Sequence, residues 1–249
     1  MRLPACKPAP TLDARVHSGE PIVPQDPAPQ SLIATVDAVI LTIEDGRLKV
    51  LLHRRPREPY QGDWALPGGF IRPAEDADAS GAVRRVLADK VGTSGFYLEQ
   101  LATYSGARRD PRGWSLSVTH LALVPRPSLA FSEDEDARLI PVDGATDLAF
   151  DHAAIVADAV ARLRGKGAYS TLPASLLAAT FTLGDMQEAY EVVLADRIDP
   201  SSFRRKVLEL GILEDTGDEQ KGGRKRPAKL YRLRQPVATF DRTLGRSSG

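Results

Sequence analysis

The sequence has almost no cysteine and no long apolar stretch. Cys6 is the only cysteine among 249 residues, which excludes both a disulfide framework and a cysteine-rich zinc site. No apolar run approaches the roughly 18–20 residues that a membrane span needs. Residues 1–30 also lack the apolar core of a secretory signal. These absences predict a cytoplasmic protein without a membrane partner.

The chain has no net charge, because 33 basic residues balance 33 acidic ones. The charges are nevertheless unevenly distributed. Residues 196–249 hold 13 basic and 8 acidic residues, whereas residues 133–151 hold seven acidic residues and one basic residue. The total charge therefore gives no information about a nucleic-acid partner, and only local clusters can.

Composition and hydrophobic patterning divide the chain into four parts. Residues 1–30 contain seven prolines and are expected to form a mobile tail. Residues 31–165 alternate strand-like and helix-like segments, which predicts an α+β or α/β domain. Residues 166–235 predict a small helical module with a β-hairpin, and residues 236–249 are expected to be a second tail.

Apolar periodicity predicts the elements of the larger domain. These are a strand over 34–43, a hairpin turn at 45–46, strands over 50–52 and 64–70, a helix over 78–91, a strand over 115–124 and a helix that Asp151 caps. The strand over 64–70 is expected to end in a glycine-rich turn. The segment 164–167 is predicted to be a linker, because two of its four residues are glycine.

Two short helices joined by a tight turn follow the predicted linker, and a β-hairpin follows them. This order is typical of a winged helix-turn-helix, whose second helix enters the major groove of DNA. Asp199 and Pro200 form a strong start signal for that helix. At about 100° per residue, Phe203, Val207 and Leu210 form its expected buried stripe.

The hairpin is strongly basic, since residues 221–234 include seven basic residues and no acidic one. Gly222 and Gly223 would let its tip approach a phosphate backbone closely. The alternative interpretation is that this hairpin is only a solvated part of the surface. The position of the hairpin behind two helices favours DNA binding. The residues predicted to contact DNA are Ser201, Ser202, Arg204, Arg205, Lys206, Arg224, Lys225, Arg226 and Lys229.

The segment Gly68-Gly69-Phe70, with Glu75 six residues after Gly69 and a helix ending at Gly92, resembles the signature of the Nudix hydrolases. That signature is G-x5-E-x7-R-E-U-x-E-E-x-G-U, in which U is aliphatic. The resemblance implies an α/β/α sandwich with a mixed sheet. It also implies a helix whose carboxylates hold Mg²⁺ against a substrate diphosphate.

This chain departs from the signature at the metal positions. With Arg85 in the arginine position, the metal-facing positions become Val86, Asp89 and Lys90, and nine residues instead of seven separate Glu75 from Arg85. Glu75 and Asp89 are therefore degenerate remnants of a metal site. We expect little or no hydrolase activity, no catalytic residue and no required cofactor, although Mg²⁺ could still bind.

A Nudix-like domain without hydrolase activity can still bind a nucleotide. Arginine forks suit diphosphate oxygens, and an aromatic ring could stack on adenine. Trp64, Tyr104 and Trp114 are the stacking candidates. The residues predicted to bind the effector are Arg54, Arg55, Trp64, Gly69, Phe70, Arg72, Lys90, Arg109 and Arg112.

A Nudix-like domain followed by a winged helix resembles the Nudix-related transcriptional regulators of NAD metabolism, of the NrtR type. The resemblance covers about residues 31–234, and its most specific segments are 64–70, 109–113, 203–208 and 226–233. It implies a homodimeric repressor of NAD biosynthesis or salvage genes that binds double-stranded DNA at palindromic operators. ADP-ribose or a related metabolite would be the effector, and residues 148–170 are expected to couple the two domains.

Two alternatives belong to other functional classes. One is an active Nudix hydrolase of ADP-ribose or a similar nucleoside diphosphate derivative, with a nucleic-acid-binding appendage. A rate assay with ADP-ribose and Mg²⁺ separates it from a regulator. The other is a scaffold protein whose winged helix docks onto protein, which a gel shift against operator-like DNA tests.

The two groups of basic residues predict different effects on DNA binding. Neutralising Arg224, Lys225 and Arg226 should weaken binding to every sequence and lower the salt slope by about one for each phosphate that is no longer neutralised. Changing Arg205 should instead relax sequence preference. Titrations of specific and random duplexes at several salt concentrations measure both effects, and equal effects from both changes would contradict the assignment.

Overall fold

The computed structural model describes residues 32–88, 96–130, 136–220 and 227–240. Its strands are β1 (Ile33–Glu44), β2 (Arg47–Arg54), β3 (Trp64–Ala65), β4 (Gly68–Phe70), β5 (Tyr97–Gly106), β6 (Ser115–Leu123), β7 (Ala137–Pro141), β8 (Leu213–Gln220) and β9 (Ala228–Leu233). Its α-helices are α1 (Ala79–Ala88), α2 (His152–Gly167), α3 (Leu183–Leu194) and α4 (Pro200–Glu209). Among these helices, none is long and apolar enough to span a bilayer. The predicted tail over 1–30 lies outside the described residues.

A mixed sheet forms the centre of the first half. Its strand order is β3-β2-β1-β6-β5, with β4 added to β1 and β7 added to β2. Strands β1 and β6 are parallel, and the other pairs are antiparallel. Helix α1 packs on the face that carries Val36 and Ile40, and α2 packs on the face that carries Val39 and Leu41. The predicted mixed sheet with helices on both faces is confirmed.

Strand β4 corrects the prediction of a glycine-rich turn. Gly68 pairs with Asp37 of β1, and Phe70 pairs with Thr35. The pairing depends on glycine, because a Cβ on Gly68 would collide with Asp37 Oδ1 and lie 2.8 Å from Val36 O. Gly68 therefore lets β4 run directly over a carboxylate that belongs to the central strand.

Helix α2 corrects the prediction of a linker over 164–167. The helix continues to Gly167, where a Cβ would lie 3.0 Å from Pro173 Cγ and 3.4 Å from Val193 Cγ1. Arg164 Nε also donates a hydrogen bond to Val193 O at 3.2 Å. Gly167 therefore allows α2 to pack closely against the next module and does not make the segment flexible. Helix α2 joins the two halves of the chain directly.

The second half is a winged helix with its own core. Tyr190 of α3 contacts Phe203 of α4 edge to face, with ring centroids 5.4 Å apart. A capping box formed by Thr182 and Asp185 begins α3, and Asp199 Oδ1 accepts a hydrogen bond from Ser202 N at the start of α4. Strands β8 and β9 form the antiparallel hairpin. The predicted winged helix-turn-helix is confirmed.

The predicted second tail is partly wrong, because residues 236–240 belong to the fold. Thr171 N donates a hydrogen bond to Ala238 O at 2.8 Å, and Phe240 N donates one to Tyr169 O at 2.7 Å. The Phe240 side chain joins the winged-helix core. Residues 241–249 lie outside the described part of the chain.

The loop between β4 and α1 is closed by an ion pair. Arg85 donates hydrogen bonds to Asp76 from Nε at 2.8 Å and from Nη2 at 2.7 Å, and Nη2 also reaches Phe70 O. Glu75, the predicted remnant, instead pairs with Arg72 at the surface. The partner of the helix arginine is therefore Asp76, the residue after Glu75.

We expect Gly68→Ala to destabilise the fold, because the new methyl group overlaps Asp37. The free energy of unfolding should fall by about 1–3 kcal/mol in urea titrations, as overpacking usually costs. Gly69→Ala is the matched control, since its Cβ would meet Val86 Cγ2 at an ordinary 3.6 Å and should change stability by less than about 0.5 kcal/mol. Equal losses from both variants would contradict the packing described.

The Arg85 hydrogen bonds should be visible in the titration of Asp76. They lower the pKa of Asp76 from 3.8 to about 2, with help from the backbone N–H of Arg72. The carboxylate therefore stays ionised until the pH falls through about 2. Carbon-detected NMR of the wild type should find this value, and Arg85→Gln should raise the pKa. Glu75→Gln should leave it unchanged, whereas an Asp76 pKa near 3.8 in the wild type would refute the pair.

Candidate effector pocket and DNA-binding surface

A cavity of about 630 Å³ opens at the end of the sheet where β1, β4 and α2 meet. Its size lies within the range of small-molecule sites. The lining residues are Thr35, Asp37, His53, Arg55, Pro56, Arg57, Glu58, Leu66, Gly68, Gly69, Phe70, Arg72, Arg109, Asp110, Arg112, Phe150 and His152. Five of them are arginines and three are acids, so the lining favours an anionic ligand such as a diphosphate.

Six of the nine residues predicted to bind the effector lie in this cavity: Arg55, Gly69, Phe70, Arg72, Arg109 and Arg112. Two others lie elsewhere. Arg54 Nε donates to Gly62 O at 3.0 Å, and the partly buried ring of Trp64 packs against the core beneath the guanidinium of Arg138. Lys90 lies outside the described residues.

Arg109 is a largely enclosed cation of the cavity, with 9% of its side chain exposed. Its Nε and Nη2 each donate a hydrogen bond of 3.0 Å to the carboxylate of Asp151, and Nη2 lies 3.9 Å from Asp37 Oδ2. Asp151 precedes α2, as predicted, but its side chain caps no backbone N–H. The prediction of a helix cap is therefore wrong in detail, because the bidentate pair with Arg109 uses the carboxylate.

Asp37 and His152 form the floor of the cavity. Asp37 Oδ2 accepts a hydrogen bond from Ser117 Oγ at 2.6 Å. His152 Nδ1 accepts one from the backbone N–H of Leu66 at 2.9 Å, so the ring proton lies on Nε2. Burial lowers the pKa of His152 and keeps the ring neutral. Nε2 lies 3.8 Å from Asp37 Oδ1, which is too far for a hydrogen bond.

Aromatic side chains form the wall and the mouth. Phe150 has a positive φ of 58°. Its ring is covered by the guanidinium of Arg55 at 4.6 Å and contacted by Tyr60 and His152, with centroids at 4.8 and 5.3 Å. Phe70 is 53% exposed at the mouth, and Arg112 Cζ lies 5.2 Å from its centroid. The mouth therefore offers an accessible ring, whereas the wall ring is already in contact.

The other two stacking candidates do not line the cavity. The Tyr104 hydroxyl donates to Asp158 Oδ2 at 2.8 Å on the face of α2. Trp114 is 50% exposed, and its backbone O accepts a hydrogen bond from Ile33 N. Phe70 is the predicted aromatic residue that does reach the cavity.

The described part of α1 does not fit the magnesium site of the Nudix signature. Its only charged residues are Arg84 and Arg85, whereas hard divalent cations need several oxygen ligands. Across the described ranges, no group of three His, Cys, Asp or Glu side chains could share a metal ion. Asp89 lies beyond the described end of α1.

Helix α4 presents a polar surface to solvent. Ser201, Arg204 and Arg205 are exposed, and Ser202 and Lys206 are half-buried. Phe203 and Val207 are buried as predicted. Leu210 is 40% exposed and does not continue the stripe, because α4 ends at Glu209 and the chain turns at Gly211, whose φ is +63°.

The stem of the hairpin carries less free positive charge than its sequence indicates. Lys229 pairs with Asp215 at 2.8 Å, and Arg232 pairs with Glu214 at 2.7 Å. These acids belong to β8, which precedes the basic segment that begins at residue 221, so the composition of that segment does not reveal them. Arg224, Lys225 and Arg226 lie outside the described residues.

Several lining residues were not predicted from the sequence, among them Asp37, His53, Phe150 and His152. Asp37 left a signal, because it is the one charged residue within the strand-like run 34–43. A lone carboxylate in a buried strand needs a partner or a ligand. His53, Phe150 and His152 left no comparable signal, since their meeting depends on how α2 returns to the sheet.

Comparison with known proteins supports both halves. Residues 33–162 match the NUDIX domain, and residues 173–233 match the NrtR DNA-binding winged helix domain. The ADPR responsive transcriptional repressor NtrR of Acinetobacter baylyi is 39% identical over 207 residues, which cover 82% of each protein.

Two solved structures of NrtR from Shewanella oneidensis are also similar. The complex with a 27mer DNA has 39% identity and a TM-score of 0.78, and the match covers 85% of this chain and 99% of that chain. The NUDIX domain complexed with ADP ribose has 38% identity and a TM-score of 0.50, and the match covers 55% and 93% of the two chains. The chain therefore belongs to the NrtR family, in which a NUDIX domain is joined to a DNA-binding winged helix.

Proposed function

We propose that this chain is a transcriptional repressor that binds DNA through its winged helix and releases it when ADP-ribose occupies the NUDIX cavity. The observation that carries the proposal is that one helix serves both sites. At the start of α2, His152 lines the cavity and Asp151, the residue before the helix, pairs with the cavity residue Arg109. The last turn of α2 packs against α3 through Arg164 and Gly167.

The ligand chemistry supports ADP-ribose. Its diphosphate would bind the arginine forks of the cavity, of which Arg55 and Arg109 are half-buried and Arg112 is exposed. Its adenine would stack on the exposed ring of Phe70 at the mouth. The relative that is named as ADPR responsive matches both halves of this chain. The solved structure that is named as a complex with ADP ribose matches the NUDIX half.

The same chemistry gives a route from the ligand to DNA. A diphosphate competes with Asp151 for the guanidinium of Arg109, because both offer oxygen pairs to the same fork. Loss of the Arg109–Asp151 pair would release the start of α2 and so change which position this helix prefers. A ligand changes DNA affinity only by its differential affinity for the two arrangements, typically about 1–3 kcal/mol.

The proposal includes no hydrolase activity. The described part of α1 offers no carboxylate, and Lys90 in the sequence puts a cation where the signature has a metal ligand. Mg²⁺ is accordingly not required for ligand binding. An active ADP-ribose hydrolase with a DNA-binding appendage is the alternative, and it predicts turnover in the presence of Mg²⁺.

The DNA partner follows from the family resemblance. We propose palindromic operators of NAD biosynthesis or salvage genes, bound by a homodimer whose two recognition helices face half-sites about one helical turn apart. In each copy Ser201, Ser202 and Arg205 would face base edges, while Arg204, Lys206 and the residues 224–226 would contact phosphates.

Fluorescence anisotropy of labelled promoter fragments from NAD-pathway genes tests the proposal. The full chain should bind a subset of fragments, and ADP-ribose should weaken that binding roughly 5- to 150-fold. Arg205→Ala should weaken specific binding by about 1–3 kcal/mol without changing the affinity for ADP-ribose. Arg47→Ala is the matched control, because Arg47 is an exposed, Asp143-paired arginine of β2.

Three results would contradict the proposal. Absence of DNA binding at low salt would favour the scaffold alternative. DNA binding that ADP-ribose leaves unchanged would refute the effector. Hydrolysis of ADP-ribose with Mg²⁺ at about 1 per second or faster, within the usual range of enzymes, would favour the hydrolase.

A further inference from the structure

Helix α4 carries an exposed leucine. Leu208 is 52% exposed. Within the described part of the chain, it is neither a buried nor a partly buried member of the winged-helix core. An exposed leucine alone is ordinary, because apolar atoms contribute more than half of a protein surface. The direction in which this leucine points makes it informative.

The helical geometry of α4 gives that direction, since each residue turns the helix by about 100°. Leu208 points about 140° away from the buried Phe203 and about 100° away from the buried Val207. It points within about 20° of Ser201 and about 60° of Arg205, two exposed residues that are proposed above to face base edges. Leu208 therefore lies on the same side of α4 as these residues.

The charged neighbours of Leu208 indicate its place in a groove. Arg204, which is exposed and proposed to contact a phosphate, points about 40° to one side of Leu208. Arg205 lies on the other side, and Glu209 is 3.9 Å from Arg205 on the side away from Leu208. The leucine is thus set between a phosphate contact and a base contact, as expected for a side chain near the wall of the major groove.

The major groove offers one kind of apolar group to such a side chain. Hydrogen-bond donors and acceptors line the edges of all base pairs, and the C5 methyl group of thymine is the apolar exception. A leucine cannot satisfy the donors or acceptors that it covers, which makes contact with a polar edge costly. Contact with a methyl group instead removes apolar surface of both partners from water.

We propose that Leu208 contacts the C5 methyl group of a thymine in each half-site and thereby selects a thymine at that position. The inference rests on the proposed function, since it takes α4 as the helix that enters the groove. The thymine would lie toward the C-terminal end of α4, because Leu208 is about 10 Å along the helix axis from Ser201.

A second copy of the chain is the alternative partner for Leu208. The charges beside the leucine favour DNA. In a two-fold symmetric contact the same surface meets itself, so Arg204 and Arg205 would approach the arginines of the other copy. The phosphates of a duplex instead attract both side chains.

Fluorescence anisotropy with duplexes in which uracil replaces one thymine of each half-site at a time tests the proposal. Uracil keeps the hydrogen-bonding edge of thymine and lacks only its methyl group. The starting duplex is the NAD-pathway promoter fragment that the full chain binds most tightly. At one position the wild type should lose about fourfold in affinity for each half-site, as expected for the loss of one buried methyl group. In Leu208→Ala this uracil penalty should disappear.

Three variants serve as controls. Leu208→Met keeps an apolar side chain and should keep most of the penalty. Leu210→Ala changes a leucine that is 40% exposed but lies beyond the end of α4, so it should keep the full penalty. Arg205→Ala should weaken binding to the thymine and uracil duplexes by the same factor.

Two further readouts distinguish a methyl contact from other roles. The salt slope of Leu208→Ala should equal that of the wild type, because no phosphate contact is lost. Its thermal unfolding temperature should also be unchanged, because an exposed side chain outside the described core clusters adds little to stability.

The outcomes separate this inference from the proposed function. DNA binding with no uracil penalty at any thymine, or with a penalty that persists in Leu208→Ala, would overturn the methyl contact while leaving the repressor intact. Equal weakening of all duplexes in Leu208→Ala, together with a loss of dimer in sedimentation, would assign the leucine to a protein contact and also overturn it. A wild-type chain that binds no duplex at low salt would refute both proposals.

Discussion

The fork between Arg109 and Asp151 is the contact on which the rest of the arrangement depends. It joins a loop before the central strand β6 to Asp151, the residue before α2, with two hydrogen bonds of 3.0 Å. Because a charge-assisted, bidentate pair is directional, it fixes where α2 begins. Where α2 begins determines where His152 meets the cavity floor, and where α2 ends determines the position of α3. The positions of the ligand site and of the DNA-binding module therefore both depend on the Arg109–Asp151 pair.

Much of this architecture could be predicted from local patterns. The turn at Asp45 and Gly46 and the start of α4 at Asp199 follow from turn and cap chemistry, which act between residues close in sequence. The mixed sheet was expected from the resemblance to the Nudix signature. The segment 164–167 could not be predicted in the same way. Glycine in a helix usually signals an end, and only the approach of Pro173 and Val193 explains why it stays helical.

Charge proved harder to predict than secondary structure. Lys229 looked like a free cation in the sequence, yet the register of β8 and β9 sets it beside Asp215. Arg85 pairs with Asp76, whereas Glu75, the predicted remnant of the metal site, pairs with Arg72. Ion pairing depends on register and loop length, which composition does not encode. The aliphatic position of the signature at Leu87 was more informative, because this side chain is buried in the core.

Because Gly167 packs directly against Pro173 and Val193, α2 is a rigid connection between the two halves and not a flexible linker. Its 16 residues make a rod about 24 Å long at 1.5 Å per residue. If the end at Asp151 acts as a pivot, a tilt of about 5° displaces the far end by about 2 Å, estimated from that length. A close-packed joint transmits such a displacement instead of absorbing it. A sub-ångström change among the arginines would therefore be magnified before it reaches the groove-reading helix.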